Sequence, residues 1–176
     1  MLTLIRYLVL VPASFIVDLS GLIVVPIALL FTSKQANHLP PLFWPWDNDT
    51  EGINGDAYWK QKYGDRVTSF YCRFLWLAIR NPGNNFGYYC GWLQTPDCTY
   101  RHWGDPKISN QPYRPGQLFV IGDNGKNRAF CLYVIWPSLP GRCLRIFLGW
   151  KIHDMCKDGT AAQLVCVVNP FMSRSE

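Results

Sequence analysis

Four carboxylates crowd into one short stretch of the chain, Asp47, Asp49 and Glu51 in the run Asp47-Asn48-Asp49-Thr50-Glu51-Gly52, and Asp56 just beyond it. Oxygen ligands at alternate positions followed by a glycine are how a calcium loop opens, because a hard cation needs several oxygens around a sharp turn. The position where a bidentate Glu would close such a loop holds Tyr58, with Asp56 as the nearest substitute. That failed closure favours an Asx-turn loop whose carboxylates cap backbone amides. Paired carboxylates also serve hydrolysis and two-metal chemistry. No neighbouring residue completes such a site, so a metal-dependent hydrolase using Asp47, Asp49 and Asp56, with His102 or His153, is the third of three functional readings. Arg80 is a candidate ion-pair partner for this acidic loop.

Cys98-x3-His102 and His153-x2-Cys156 hold two thiols and two imidazoles at spacings that a tetrahedral zinc site uses. The halves are far apart in sequence, so a zinc site requires the loop carrying the first to fold onto the strand end carrying the second. Cysteines that pack as small hydrophobes and exposed histidines are the simpler reading. No Cys/His nucleophile pair, nucleophile elbow, GxGxxG or P-loop is present, which leaves nucleotide cofactors and a catalytic residue set without support. No cofactor is expected, with Ca2+ and Zn2+ as the alternatives.

The elements that must position these groups begin with an almost wholly apolar N-terminus. From Tyr7 to Phe31 the only charge is Asp18, and a helix of that length rises about 38 Å, enough to cross a hydrocarbon core of about 30 Å. An intramembrane carboxylate costs about 3 kcal/mol unless it is paired or faces protein. Pro12 and Pro26 leave a kinked helix or a broken, partly re-entrant segment and a straight rod as equal expectations. On a helical wheel Val11, Ser14, Asp18, Gly21, Val25 and Ala28 form one stripe of mostly small residues. Such a stripe suits close helix contact, with Ser14, Asp18 and Gly21 as its centre, either between copies of the chain or against its own domain. The absence of a convincing small-x-small cleavage site predicts a retained anchor and not a removable signal peptide.

The sequence divides into residues 1–33 as the apolar helical segment, 34–57 as an acidic, aromatic connector and 58–176 as an α+β domain. Phe43, Trp44 and Trp46 in the connector suit the headgroup level of a bilayer. Apolar residues at Val67, Phe70, Tyr71, Phe74, Leu75 and Ala78 predict one amphipathic helix from Arg66 to Arg80, capped by Asp65 and ended by Asn81-Pro82. Residues 81–116 read as long loops with one short strand at most. The segments QLFVI, RAFCLYVIW, CLRIFLGWKIH and AAQLVCVVN predict a four-stranded antiparallel meander. Asp123-Asn124-Gly125 reads as its tight hairpin turn, and Leu144, Ile146, Leu148, Trp150 and Ile152 as the packed face of one strand, under cover of the Arg66 helix. The fold class is α+β, an apolar membrane-type helix followed by an amphipathic helix and a C-terminal β-meander.

Seven cysteines without a CxxC pair make a poor disulfide framework and place the folded part in a reducing compartment, the cytoplasm. From Lys60 to Glu176 there are 15 Lys and Arg against 7 Asp and Glu, a difference of +8, but the cations are dispersed, which disfavours nucleic acid as a partner. Eight tryptophans suit a protein at a bilayer interface and equally an aromatic core.

Several segments taken together, LPPLFWPWDNDTEGINGDAYW, RFLWLAIRNPGNNFGYY, LGWKI and VVNPF, resemble an uncharacterised family of small tailed-bacteriophage proteins with an apolar start. Trp46 departs from the Pro that the family has before the first Asp. The resemblance implies a phage source and no mechanism. The leading functional expectation is therefore a non-enzymatic, membrane-associated phage accessory protein in the host inner membrane, with its folded part cytoplasmic and its partners the lipid bilayer and a phage or host protein. The alternative is a virion structural or ejected component whose apolar segment mediates assembly, including homo-oligomers.

Overall fold

A computed structural model describes residues 2–91, 98–152 and 162–174. The chain is α+β and forms two compact units, one of residues 1–11 with 90–176 and one of residues 12–89. The division thus falls inside the apolar N-terminal segment and again at Tyr89/Cys90, not at the connector that composition suggested.

Helix α1, Leu2–Leu30, is one continuous helix with both Pro12 and Pro26 inside it, which removes the broken segment from the expected alternatives. In the unit of residues 12–89 its last turns supply Val25, Ala28 and Leu29 to a core with Leu39, Ile53, Trp59, Trp76, Leu77 and Ala78. The connector is more ordered than its Pro and Gly content suggests: a 3-10 turn spans Pro41–Trp46, with Phe43 and Trp46 packed on that core and Trp44 exposed. Helix α2, Ala57–Tyr63, begins at the cap Asp56, whose Oδ1 accepts from the Trp59 N–H at 2.7 Å.

The expected helix from Arg66 to Arg80 is instead three pieces. A 3-10 turn, Gly64–Thr68, precedes α3, Phe70–Phe74, which runs into a π-helical segment, Leu75–Arg80. Ser69 and not Asp65 is the cap of α3, its Oγ accepting from the Cys72 N–H at 3.3 Å. The wider π turn closes with Asn81 N–H donating to the Trp76 carbonyl at 3.0 Å. Helix α4, Asn84–Tyr89, lies where a loop was expected.

The other unit holds a five-stranded antiparallel sheet in the order β1-β4-β5-β6-β7: β1 Thr99–Gly104, β4 Gly116–Asp123, β5 Arg128–Leu139, β6 Arg142–Trp150 and β7 Leu164–Ser173. A small ribbon, β2 Ser109–Asn110 with β3 Tyr113–Arg114, completes it. The four expected strands are present and β1 extends the edge. Asn124-Gly125-Lys126-Asn127 make a wider hairpin loop than expected, closed by Asn124 N–H donating to the Asn127 carbonyl at 3.2 Å, with Gly125 alone at positive φ. β6 buries residues on both faces: Trp150, on the face its pattern suggested, is fully buried, as is Ile152 just beyond the strand. Cys143 and Phe147 point into the core beside Tyr133 and Ile135 of β5, while Leu144, Ile146 and Leu148 are half-buried on the other face. Apolar residues occupy both faces because both are covered in part. The Arg66 region belongs to the other unit, and it is the first turns of α1 that pack on this sheet, with Tyr7 edge-on to Phe130 and Trp150 and its hydroxyl donating to the Val165 carbonyl at 3.0 Å.

Candidate functional site

Helix α1 divides its surface within each unit. In the unit of residues 12–89, Gly21, Val25, Ala28 and Leu29 are buried and Ser14, Val17 and Asp18 half-buried, at the three- and four-residue spacing of a helical stripe; in the other unit Tyr7 is buried and Thr3, Leu10 and Val11 are half-buried. The remaining surface is apolar and open to solvent, led by Leu4, Leu8, Phe15, Ile16, Leu19 and Ile23. Its mean hydropathy of 2.4 over a membrane-length window makes it apolar enough to cross a bilayer.

The small residues of the stripe meet their own chain. Gly21 lies under Trp46, where an added Cβ would stand 3.2 Å from the indole Cδ1, and the Trp46 Nε1–H donates to the Val17 carbonyl at 2.8 Å. Gly83, at φ +54°, brings its turn against Asp18 and Val17, and a Cβ there would run into the Asp18 carboxylate. Of the expected helix-contact residues, Gly21 is buried and Ser14 and Asp18 are half-buried, with Gly21 and Asp18 against residues 46 and 83 of the same unit.

At the chain leaving α1 lies a buried cation, Arg73, whose seven-residue spacing from Arg80 suggested only a shared helix face. Arg73 is 3% exposed, and its guanidinium donates to the Ser33 carbonyl at 2.9 Å, the Lys34 carbonyl at 2.7 Å, the Ala36 carbonyl at 3.1 Å and Asn54 Oδ1 at 2.9 Å. It ties the chain leaving α1 to α3. Burial lowers its proton affinity.

The acidic loop is held by its own amides. Asp47 is buried, and its Oδ1 accepts from Asn48 N–H at 2.8 Å and its Oδ2 from Leu39 N–H at 3.1 Å. Desolvation raises its pKa above the usual carboxylate value, against the lowering effect of those amides and of His38. Asn48 Oδ1 accepts from Glu51 N–H, and the buried Asn85 accepts from Asp49 N–H at 2.9 Å through Oδ1. Among the described residues the nearest approach to a metal-ligand cluster is His38, Asp47 and Asp49, whose ligand atoms lie within 4.8 Å of one another, with His38 Nδ1 at 3.3 Å from Asp47 Oδ2. His38 was absent from the sequence-derived set because it lies in a Pro-rich turn well before the acidic run. Glu51 is exposed and Asp56 stands apart from this group as a helix cap.

Arg80 pairs with that capping residue, its Nη2 at 3.0 Å from Asp56 Oδ2, and its guanidinium sits 5.0 Å from the Trp76 ring, 5.4 Å from Trp59 and 5.5 Å from Tyr58. The π turn is what aims it there. Cys98 is half-buried just before β1 and His102 is exposed on that strand, while His153 and Cys156 lie outside the described residues, so the four are not brought together among them. The Cys90 thiol is buried and pushed up to about 11, which makes it inert and not nucleophilic at neutral pH.

Fold and surface define an α+β protein with an N-terminal apolar helix long enough to span a bilayer, one face of it packed on its own chain. A family model, a family of unknown function (DUF7338), matches residues 1–176, and the chain belongs to that family. No curated protein and no solved structure matches it.

Proposed function

We propose that the protein is a non-enzymatic membrane-associated protein that rests on the bilayer surface, with α1 lying in the interface and its open apolar face in lipid. The observation that carries this reading is the two-sidedness of α1. At mid-helix its inner stripe meets the Gly83 turn and Trp46, and the same unit presents buried Asp47, Asn48 and Asn85. Irregular polar backbone is tolerated at the depth of a spanning helix's middle only where protein buries it, and Asp49, Thr50 and Glu51 of the same loop are exposed. A helix with one face on protein and the other apolar lies instead at the boundary of headgroups and acyl chains. The exposed pair Trp44 and Tyr89, edge to face with centroids 4.7 Å apart, supplies amphipathic rings of the type found at that level.

A phage source, a role as an accessory protein in the host inner membrane and contacts with a phage or host protein follow from the resemblance to tailed-phage proteins, and are part of this reading on that ground alone. A particle component is the alternative. The test is vesicle flotation of the full chain and of the double variant Ile16→Lys/Ile23→Lys, both positions on the open face at 66% and 69% exposure. Each loss of a lipid-buried isoleucine weakens binding by about 2 kcal/mol, about 30-fold. Retention of the variant by vesicles at wild-type strength overturns the reading. Deleting residues 1–31 is not usable, because Tyr7, Val25, Ala28 and Leu29 go with them.

A further inference from the structure

We propose that the cleft between the first turns of α1 and the β4–β5 hairpin binds an anionic amphiphile, a phosphate-bearing lipid headgroup with part of its acyl chain. The inference rests on the membrane-surface reading and names the lipid class that this reading leaves open.

Two adjoining cavities carry it, both within the unit of residues 1–11 and 90–176. The first, of about 320 Å³, is lined by Leu2, Thr3 and Arg6 of α1 and by the hairpin with Asp123, Lys126 and Arg128. Three cations thus face one carboxylate. That carboxylate is already engaged, its Oδ2 at 2.6 Å from Arg128 Nε and its Oδ1 accepting from Gly125 N–H at 2.8 Å. The cavity keeps a net positive lining that favours a phosphate.

The second cavity, of about 450 Å³, shares Thr3 and Arg128 with the first and continues along Leu4, Phe119, Ile121 and Phe130. A free phosphate has no use for that apolar wall. An acyl chain does, and the two compartments meet at Thr3 and Arg128, where the glycerol of a phospholipid would stand. The same turns of α1 carry the exposed Leu4, Leu8 and Val9 that the membrane-surface reading assigns to lipid. A headgroup held here would be continuous with the leaflet and would favour anionic lipid over zwitterionic lipid.

The full chain is titrated with dihexanoyl-phosphatidylglycerol, dihexanoyl-phosphatidylcholine and inorganic phosphate, each below any micelle-forming concentration, and binding is read by calorimetry and by amide shifts of Thr3, Lys126 and Arg128. Because these probes are monomers, the result does not depend on vesicle binding, so a failed flotation with intact phosphatidylglycerol binding refutes the membrane-surface reading while leaving the site. The expected result is saturable binding of phosphatidylglycerol, at least tenfold weaker binding of phosphatidylcholine, and weaker binding again of phosphate. The variant Arg6→Gln/Lys126→Gln loses about fivefold per cation and about 25-fold as a pair, with an unchanged circular dichroism spectrum. Equal affinity for the two lipids, or phosphate binding as tightly as the lipid, overturns the proposal. So does a dibutanoyl analogue that binds as tightly as the dihexanoyl one.

Discussion

Replacing Arg73 by Met is the perturbation that most directly tests how the end of α1 is held. The guanidinium is 3% exposed and donates four hydrogen bonds, three of them to the carbonyls of Ser33, Lys34 and Ala36 that follow the helix. Hydrogen bonds from a charged donor contribute about 1.5–3 kcal/mol each, so the gross loss is about 6–12 kcal/mol. Against this, Met avoids the several kcal/mol needed to desolvate a guanidinium and fills most of the space of its stem. The net destabilisation is about 3–4 kcal/mol, in line with breaking other buried polar networks around a charge. Arg73→Lys keeps a charge but presents a single ammonium in place of the planar fork, and loses about half as much. The assay is native-state hydrogen exchange at the amides of Trp76 and Leu77, both in the core that Arg73 adjoins, because two compact units make one melting temperature an insufficient measure. A loss below about 1 kcal/mol for Arg73→Met, or full retention by Arg73→Lys, would refute the reasoning.

Three further outcomes are expected. Gly83→Val destabilises the unit of residues 12–89 by at least about 2 kcal/mol in urea unfolding, since φ is +54° and a side chain there meets the Asp18 carboxylate and Val17. Asp56→Ala loses the α2 cap and the Arg80 pair and costs about 1.5–2 kcal/mol, while Asp56→Asn, which keeps the cap oxygen, costs about half of that by the same measurement. Carboxyl NMR titration places Asp47 above 3.8, because burial raises it, and Asp105 and Asp123 below 3.8, held there by backbone amides and by Arg114 and Arg128. Asp47 therefore contributes stability that is fully present below about 3.8 and lost as pH rises through its folded value, whereas the other two contribute above 3.8 and lose it as pH falls. An Asp47 midpoint below that of Asp123 would reverse this assignment.

The apolar run, its small-residue stripe and the β-strands were legible in the sequence because each is a local periodic pattern: 3.6 residues for the helix and two for the strand. Part of the capping in residues 47–52 was legible for the same reason, since Asp47 and Asn48 accept from the nearby amides of Asn48 and Glu51, whereas the bonds from Leu39 N–H to Asp47 and from Asp49 N–H to Asn85 join remote segments. What failed was local patterning overruled by long-range packing. The Arg66–Arg80 run has a helical face, yet Ser69 caps a shorter α3 and the segment widens into a π turn that sets Arg80 over Trp76 and against Asp56. Face assignment in β6 held only in part, with Trp150 buried on the expected face and Cys143 and Phe147 buried on the other, because apolar residues occupy both sides of a sheet covered on both. Spacing set Arg73 on a face with Arg80, but its burial was not legible, because a cation that pairs with carbonyls leaves no charge partner to find.

The sequence by itself determined that this is an α+β chain with an N-terminal helix apolar enough for a membrane, since composition and period dictate what a segment must bury. Only the tertiary structure decided what that helix buries against. In the unit of residues 12–89 its small residues meet Trp46 and the Gly83 turn, and in the other unit Tyr7 of its first turns packs on the sheet. One-sided covering is a property of packing between segments remote in sequence, and no periodicity in the helix alone can say whether its small residues meet a second copy, a lipid or the chain's own fold.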